Sequence, residues 1–108
     1  MLLHANDGAL EAIRDAGGIV RSVGGGLEIE FQRRGKAMGD EALGQVALLG
    51  ELVLSLNLRG TRTTDEGLRH LSGLSNLGRL HLERTGISDG GMAHLVGLTG
   101  LESICREM

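Results

Sequence analysis

Three chemically versatile side chains fall at one spacing. Asn57, His81 and Cys105 stand 24 residues apart. A thiol, an imidazole and a carboxamide are the set used by cysteine hydrolases. There the thiolate attacks, the imidazole takes the thiol proton, and the amide orients the imidazole. If the three occupy equivalent places on adjacent parallel strands, they form a row with steps of about 4.8 Å. Such a row supplies a nucleophile, a base and an orienting group. It lacks the converging donors an oxyanion needs, because N–H groups on an open sheet are committed to the ladder. Three solvent-facing residues of a binding surface is therefore the favoured reading. A hydrolase built on Cys105, His81 and Asn57 is the remote alternative.

Other candidates yield to simpler accounts. His70 and His94 recur in GLRHL and GMAHL. Metal ligands must converge within about 2.0–2.1 Å of one ion. These two sit on helices, with His81 on the opposite side, so they read as flank positions packed partly between neighbouring helices. No metal or cofactor is expected. Gly17-Gly18 and Gly24-Gly25-Gly26 are not phosphate loops, because a helix precedes them and a strand follows, and the Lys-Ser or Lys-Thr pair is absent. Basic residues recur after the strands, at Arg33, Arg34, Lys36, Arg59, Arg62 and Arg84. Acids recur at helix starts, at Asp40, Glu41, Asp65, Glu66 and Asp89. The acids suit helix N-termini, and the bases suit solvated loops.

The elements that position these residues come from a repeat. Asp65-Glu-Gly-Leu68 recurs as Asp89-Gly-Gly-Met92 and as Asp40-Glu-Ala-Leu43, with a fainter copy at Asp7-Gly-Ala-Leu10. An apolar residue follows each Asp at six positions on: Ile13, Val46, Leu71 and Leu95. A glycine closes each copy: Gly17, Gly50, Gly73 and Gly97. Each copy reads as a short helix, with Asp at or beside the N-cap accepting from free N–H groups of the first turn and glycine in the left-handed conformation at the other end. Then comes L-x-x-L-x-x-L-x-L, as Leu74, Leu77, Leu80 and Leu82. The preceding copy, Leu49, Leu52, Leu56 and Leu58, carries one inserted residue. A leucine at every third position fits neither a long helix nor a strand. It fits a chain that turns corners, each leucine pointing to a shared axis, with Thr61 and Thr85 bonding the backbone at the bend.

This pattern resembles the leucine-rich repeat family, in the types with L-x-x-L-x-L-x-x-[CT]-x-[IL]-[ST]-D-x-G-L-x-x-L. The stretch LGRLHLERTGISDGGMAHL, residues 77–95, matches it at almost every marked position. The cysteine-containing and ribonuclease-inhibitor-like types are the nearest. The resemblance implies an α/β leucine-rich repeat solenoid, with a curved parallel sheet on the concave side and short helices on the convex side. Residues 1–39 are expected to form an N-terminal cap of a helix and a β-hairpin, Leu27, Ile29 and Phe31 facing inward. Residues 40–108 are expected to hold two repeats and a truncated third, with Leu98, Leu101 and Ile104 at an open end.

Composition agrees with thin aliphatic layers. The 108 residues are 41% hydrophobic, with one Phe, no Tyr, no Trp, 19 Gly and no Pro. A formal net charge of −3 gives no broad surface for nucleic acid or an anionic membrane. One cysteine allows no internal disulfide and suits a reducing compartment. No signal-peptide pattern is present, so the cytoplasm is expected. By resemblance, the function is that of a protein–protein interaction module rather than an enzyme, binding a protein or peptide on the concave face. The contacts are Glu28, Glu30, Gln32, Ser55, Asn57, Arg59, Arg79, His81, Glu83, Ser103 and Cys105. The alternative is a self-assembling fragment of a longer repeat protein, with its open C-terminal end covered by another chain, as in a homodimer.

Overall fold

The computed structural model describes residues 2–31 and 39–105, and side chains within 8–31 and 39–104. Gln32, Arg33, Arg34 and Lys36 lie outside the described residues, and Cys105 is placed by its backbone alone. The fold is mixed α/β: a five-stranded sheet with several helices. Helix α1 (Leu2–Asp15) is followed by β1 (Ile19–Val23), β2 (Gly26–Glu30), α2 (Asp40–Ala47), β3 (Val53–Asn57), α3 (Asp65–Leu68), β4 (Arg79–His81) and β5 (Ser103–Cys105). Three 3₁₀ segments, Gly50–Leu52, Arg69–Gly73 and Asp89–Leu95, complete the described helical structure.

The strands lie in chain order, β1 to β5. β1 and β2 are antiparallel. The turn between them uses Gly24 at φ 53° and Gly25 at φ 89°, the two positive values that a tight hairpin turn demands. From β2 onward every pair is parallel, so each connection must cross over, and the helical segments make the crossing. The residue inserted before Leu56 is absorbed as an irregularity. Leu27 faces Val53 and Glu28 faces Ser55, so Leu54 is the extra residue of β3. Gly26 makes room for it, since a Cβ there would overlap the Leu54 side chain.

The register creates a central apolar rung: Val20, Ile29, Leu56, Leu80 and Ile104. Leu56 and Leu80 are fully buried, whereas Ile104 on β5 is 44% exposed. Phe31, Ile13, Leu43, Leu58, Leu68, Leu71, Leu74 and Leu77 join the same buried cluster. Burying one such side chain contributes about 1.5–3 kcal/mol, so the aliphatic rows carry the fold. Of the three residues expected at an open end, Ile104 is exposed and Leu101 half-buried, whereas Leu98 is buried at 4% exposure.

The α-helical part of the repeated segments shortens along the chain. α2 buries Leu43 and Val46 as one stripe. α3 lasts four residues before tightening to 3₁₀. The third copy is 3₁₀ throughout, Asp89–Leu95. The glycines at Gly90 and Gly91 disfavour a regular α-helix, and three residues per turn still bring Met92 and Leu95 to one side. The expected left-handed glycine occurs at Gly17 and Gly50, with φ 98° and 52°, but Gly73 and Gly97 are not among the positive-φ residues.

The aspartates act differently from simple caps. Thr64 and Ser88 are the N-cap residues, accepting from the amides of Glu66 and Gly90. Asp40 accepts from the Thr64 amide at 2.8 Å and from its hydroxyl at 2.6 Å, one unit onward. Asp65 repeats the arrangement on Ser88. Each aspartate thus ties the start of its own helix to the start of the next. A Cβ at Gly67 or Gly91 would overlap the carboxylate of Asp40 or Asp65, so these glycines keep the space the clasp occupies. At the bends, the hydroxyls of Thr61 and Thr85 donate to the carbonyls of Leu58 and Leu82, each at 2.7 Å, as expected.

Candidate functional site

Residues that alternate with the apolar rung point to the other face of the sheet. They form two polar rungs. One runs Arg21, Glu28, Ser55, Arg79, Ser103, and the other Ile19, Glu30, Asn57, His81, with the Cys105 backbone next in register. The repeat spacing therefore does place Asn57, His81 and Cys105 side by side in register. Glu28, Glu30, Ser55, Asn57, Arg79, His81 and Ser103 share this face, with Arg59 and Glu83 continuing the alternation just past the strands. Gln32 lies outside the described residues.

The strand ends extend the ladder and hold these positions. Leu58 donates to His81, and Gly60 donates to Glu83, both at 2.9 Å. Arg79 and Ser103 are exposed, and Glu28, Glu30, Ser55, Asn57 and His81 are half-buried. A shallow hollow of about 90 Å³ opens between Arg21, Glu28, Glu30, Ser55, Asn57 and His81. Arg21 and Ile19 were not anticipated as part of the site. The signal was present, because strand alternation in Ile19-Val-Arg-Ser-Val23 puts both beside Glu28 and Glu30.

Charges on the face are mixed. Arg21 stands 3.9 Å from Glu30, with 63% of its side chain exposed, so the pair contributes little. His81 Nδ1 lies 3.6 Å from Glu83 Oε1, and that carboxylate oxygen is buried with no hydrogen-bond partner. The Asn57 side-chain oxygen accepts from the Arg59 amide at 3.0 Å. Asn57 thus fastens its own turn, and the acid nearest His81 comes from its own strand end. The backbone row matches the expected spacing, but the amide that was to orient the imidazole is engaged locally.

His70 is half-buried, close to Gly44 of α2, as expected of a flank position. His94 is exposed instead. Among the described residues, no group of three or more His, Cys, Asp or Glu is arranged to hold a metal ion, and no helix is long and apolar enough to cross a membrane. Arg59, Arg62 and Arg84 are exposed in the loops after β3 and β4. Asp40 and Asp65 are engaged in the clasps. A second, larger cavity of about 300 Å³ lies between α1, the hairpin and residues 49–52, and holds none of the candidate residues. No protein-family model matches the chain, and no curated protein matches it either.

Proposed function

We propose that the chain is a small leucine-rich repeat solenoid that binds another protein or a peptide on its polar sheet face, in the cytoplasm, without catalysis. One observation carries this reading. From β2 to β4, two rows of polar and charged side chains lie in register on either side of an apolar rung, Ile29, Leu56 and Leu80. The apolar rung belongs to the core, so the polar rungs face away from it. Parallel strands joined by helical crossovers, and clasps that link one unit to the next, support the solenoid. The face carries Arg and Glu in near balance and has no Tyr or Trp, the usual anchors of tight interfaces. Weak, readily reversed binding follows. The local engagement of Asn57 by Arg59 supports binding over hydrolysis.

The test is a random-peptide selection against the folded chain, followed by affinity measurement on two variants. Ser55→Arg places a long cation at the centre of the polar face, and Ser72→Arg does the same on the exposed helical side. Selected peptides should lose about tenfold or more in affinity, ~1.4 kcal/mol, with Ser55→Arg and nothing with Ser72→Arg. The reverse pattern contradicts the proposal.

A second reading rests on β5. Among the described residues it pairs with β4 alone, and Ile104 is 44% exposed. Self-assembly that covers this edge predicts a dimer by light scattering that disappears with Leu101→Glu.

A further inference from the structure

The opposite edge of the sheet has a different character. Among the described residues, β1 is hydrogen-bonded to β2 alone. Four of its five residues are exposed, and only Val20 is half-buried. Ile19 is 52% and Val23 41% exposed. Both share the polar face with Arg21, which stands between them. An edge strand exposes unpaired backbone groups, and proteins usually blunt it with charges, proline or a bulge. β1 has no proline, its pairing with β2 runs from Ile19 to Val23 without a register shift, and its one charge is Arg21.

We propose that β1 receives an added β-strand from a partner protein, with an acidic residue opposite Arg21 and aliphatic residues two positions to either side. Main-chain hydrogen bonds give such an added strand its affinity, and alternate side chains give it selectivity. Cross-strand pairing sets the preference. An acid opposite Arg21 is attracted, and aliphatic side chains opposite Ile19 and Val23 cover the exposed apolar surface. The added acid extends a rung that already alternates in sign, Arg21 followed by Glu28. A second copy of this chain fits badly. Antiparallel self-pairing that uses the full strand sets Ile19 against Val23 but Arg21 against Arg21, and like charges directly opposite are destabilising. Arg21 and Ile19 border the polar face, but pairing along the β1 backbone is read by exchange in residues 19–23, separately from binding over Ser55 and Asn57.

The experiment uses two end-blocked synthetic peptides. In each, threonines alternate with a valine–X–valine series, where X is glutamate in one and lysine in the other. Binding is followed by fluorescence anisotropy and by amide hydrogen exchange of residues 19–23. The glutamate peptide should bind saturably, slow exchange in β1, and bind about tenfold or more tighter than the lysine peptide. Arg21→Glu, an exposed substitution, should reverse that preference, whereas Arg69→Glu, on the exposed helical side, should leave it unchanged. Equal binding of both peptides overturns the proposal. So does no binding of either peptide, loss caused by Arg69→Glu, or self-association of the free chain that Ile19→Lys abolishes.

Discussion

The carboxylate of Asp65 accepts from the amide of Ser88 at 2.7 Å and from its hydroxyl. Ser88 in turn caps the segment that begins at Asp89, accepting from the Gly90 amide. One side chain thus links two units through the residue that starts the second. Asp65→Ala removes both bonds and should lower unfolding free energy by about 1–2 kcal/mol, the range for partly exposed charge-assisted bonds. Urea denaturation checks this. Ser88→Ala should cost a similar amount, and the double substitution less than the sum of the two.

The same clasp predicts an unusual glycine. Gly91→Ala should destabilise by about 1–3 kcal/mol, because a Cβ there would overlap the Asp65 carboxylate. Combined with Asp65→Ala, the cost should shrink to below about 1 kcal/mol. A cost that persists undiminished in the double variant would show that Gly91 is needed for some other reason.

These features mark what could and could not be read along the chain. The rung Asn57, His81, Cys105 was legible, because a unit spacing of 24 and strand alternation together fix which residues stand abreast. The inserted residue near Leu54 was visible as a count, though its resolution as an irregularity of β3 was not. The clasp escaped because a local reading assigns Asp65 to its own helix, while its partner Ser88 lies 23 residues on. Thr64 before Asp65 and Ser88 before Asp89 were the available signal, since Ser and Thr are preferred N-cap residues. The conversion of the third helical copy to 3₁₀ also escaped, since apolar spacing of three fits either helix. At the site, the mutual register of Ser55, Arg79 and Ser103 followed from the repeat, whereas the alignment of Glu28 with Ser55 depends on the irregularity of β3. The turn that engages Asn57 did not, because it depends on where the Arg59 amide points.

Arg84 has φ 57° and is the non-glycine residue at positive φ among those described. One unit earlier the corresponding position is Gly60, at φ 75°. The left-handed conformation costs a residue with a Cβ roughly 1–2 kcal/mol, part of which is offset by the greater freedom of an unfolded glycine. Arg84→Gly should therefore stabilise by about 0.5–1 kcal/mol, and Gly60→Ala should destabilise by about 1 kcal/mol. Thermal unfolding of the two variants checks both signs.

The apolar rung predicts a gradient. Leu80 is fully buried and Ile104 is 44% exposed, although both occupy the same rung. Leu80→Ala should cost about 2–5 kcal/mol. Ile104→Ala should cost less than about 1 kcal/mol in the monomer, since its apolar surface is only partly removed from water. Equal costs for the two, measured at low protein concentration, would mean that β5 is covered in solution.

The proposed binding face is tested most directly by amide chemical-shift mapping of the folded chain during titration with a selected peptide. The largest changes should fall on Glu28, Ser55, Asn57, Arg79 and His81, along adjacent strands of one face. Changes confined to Glu66, Arg69 and Ser72, on the exposed helical side, would contradict it.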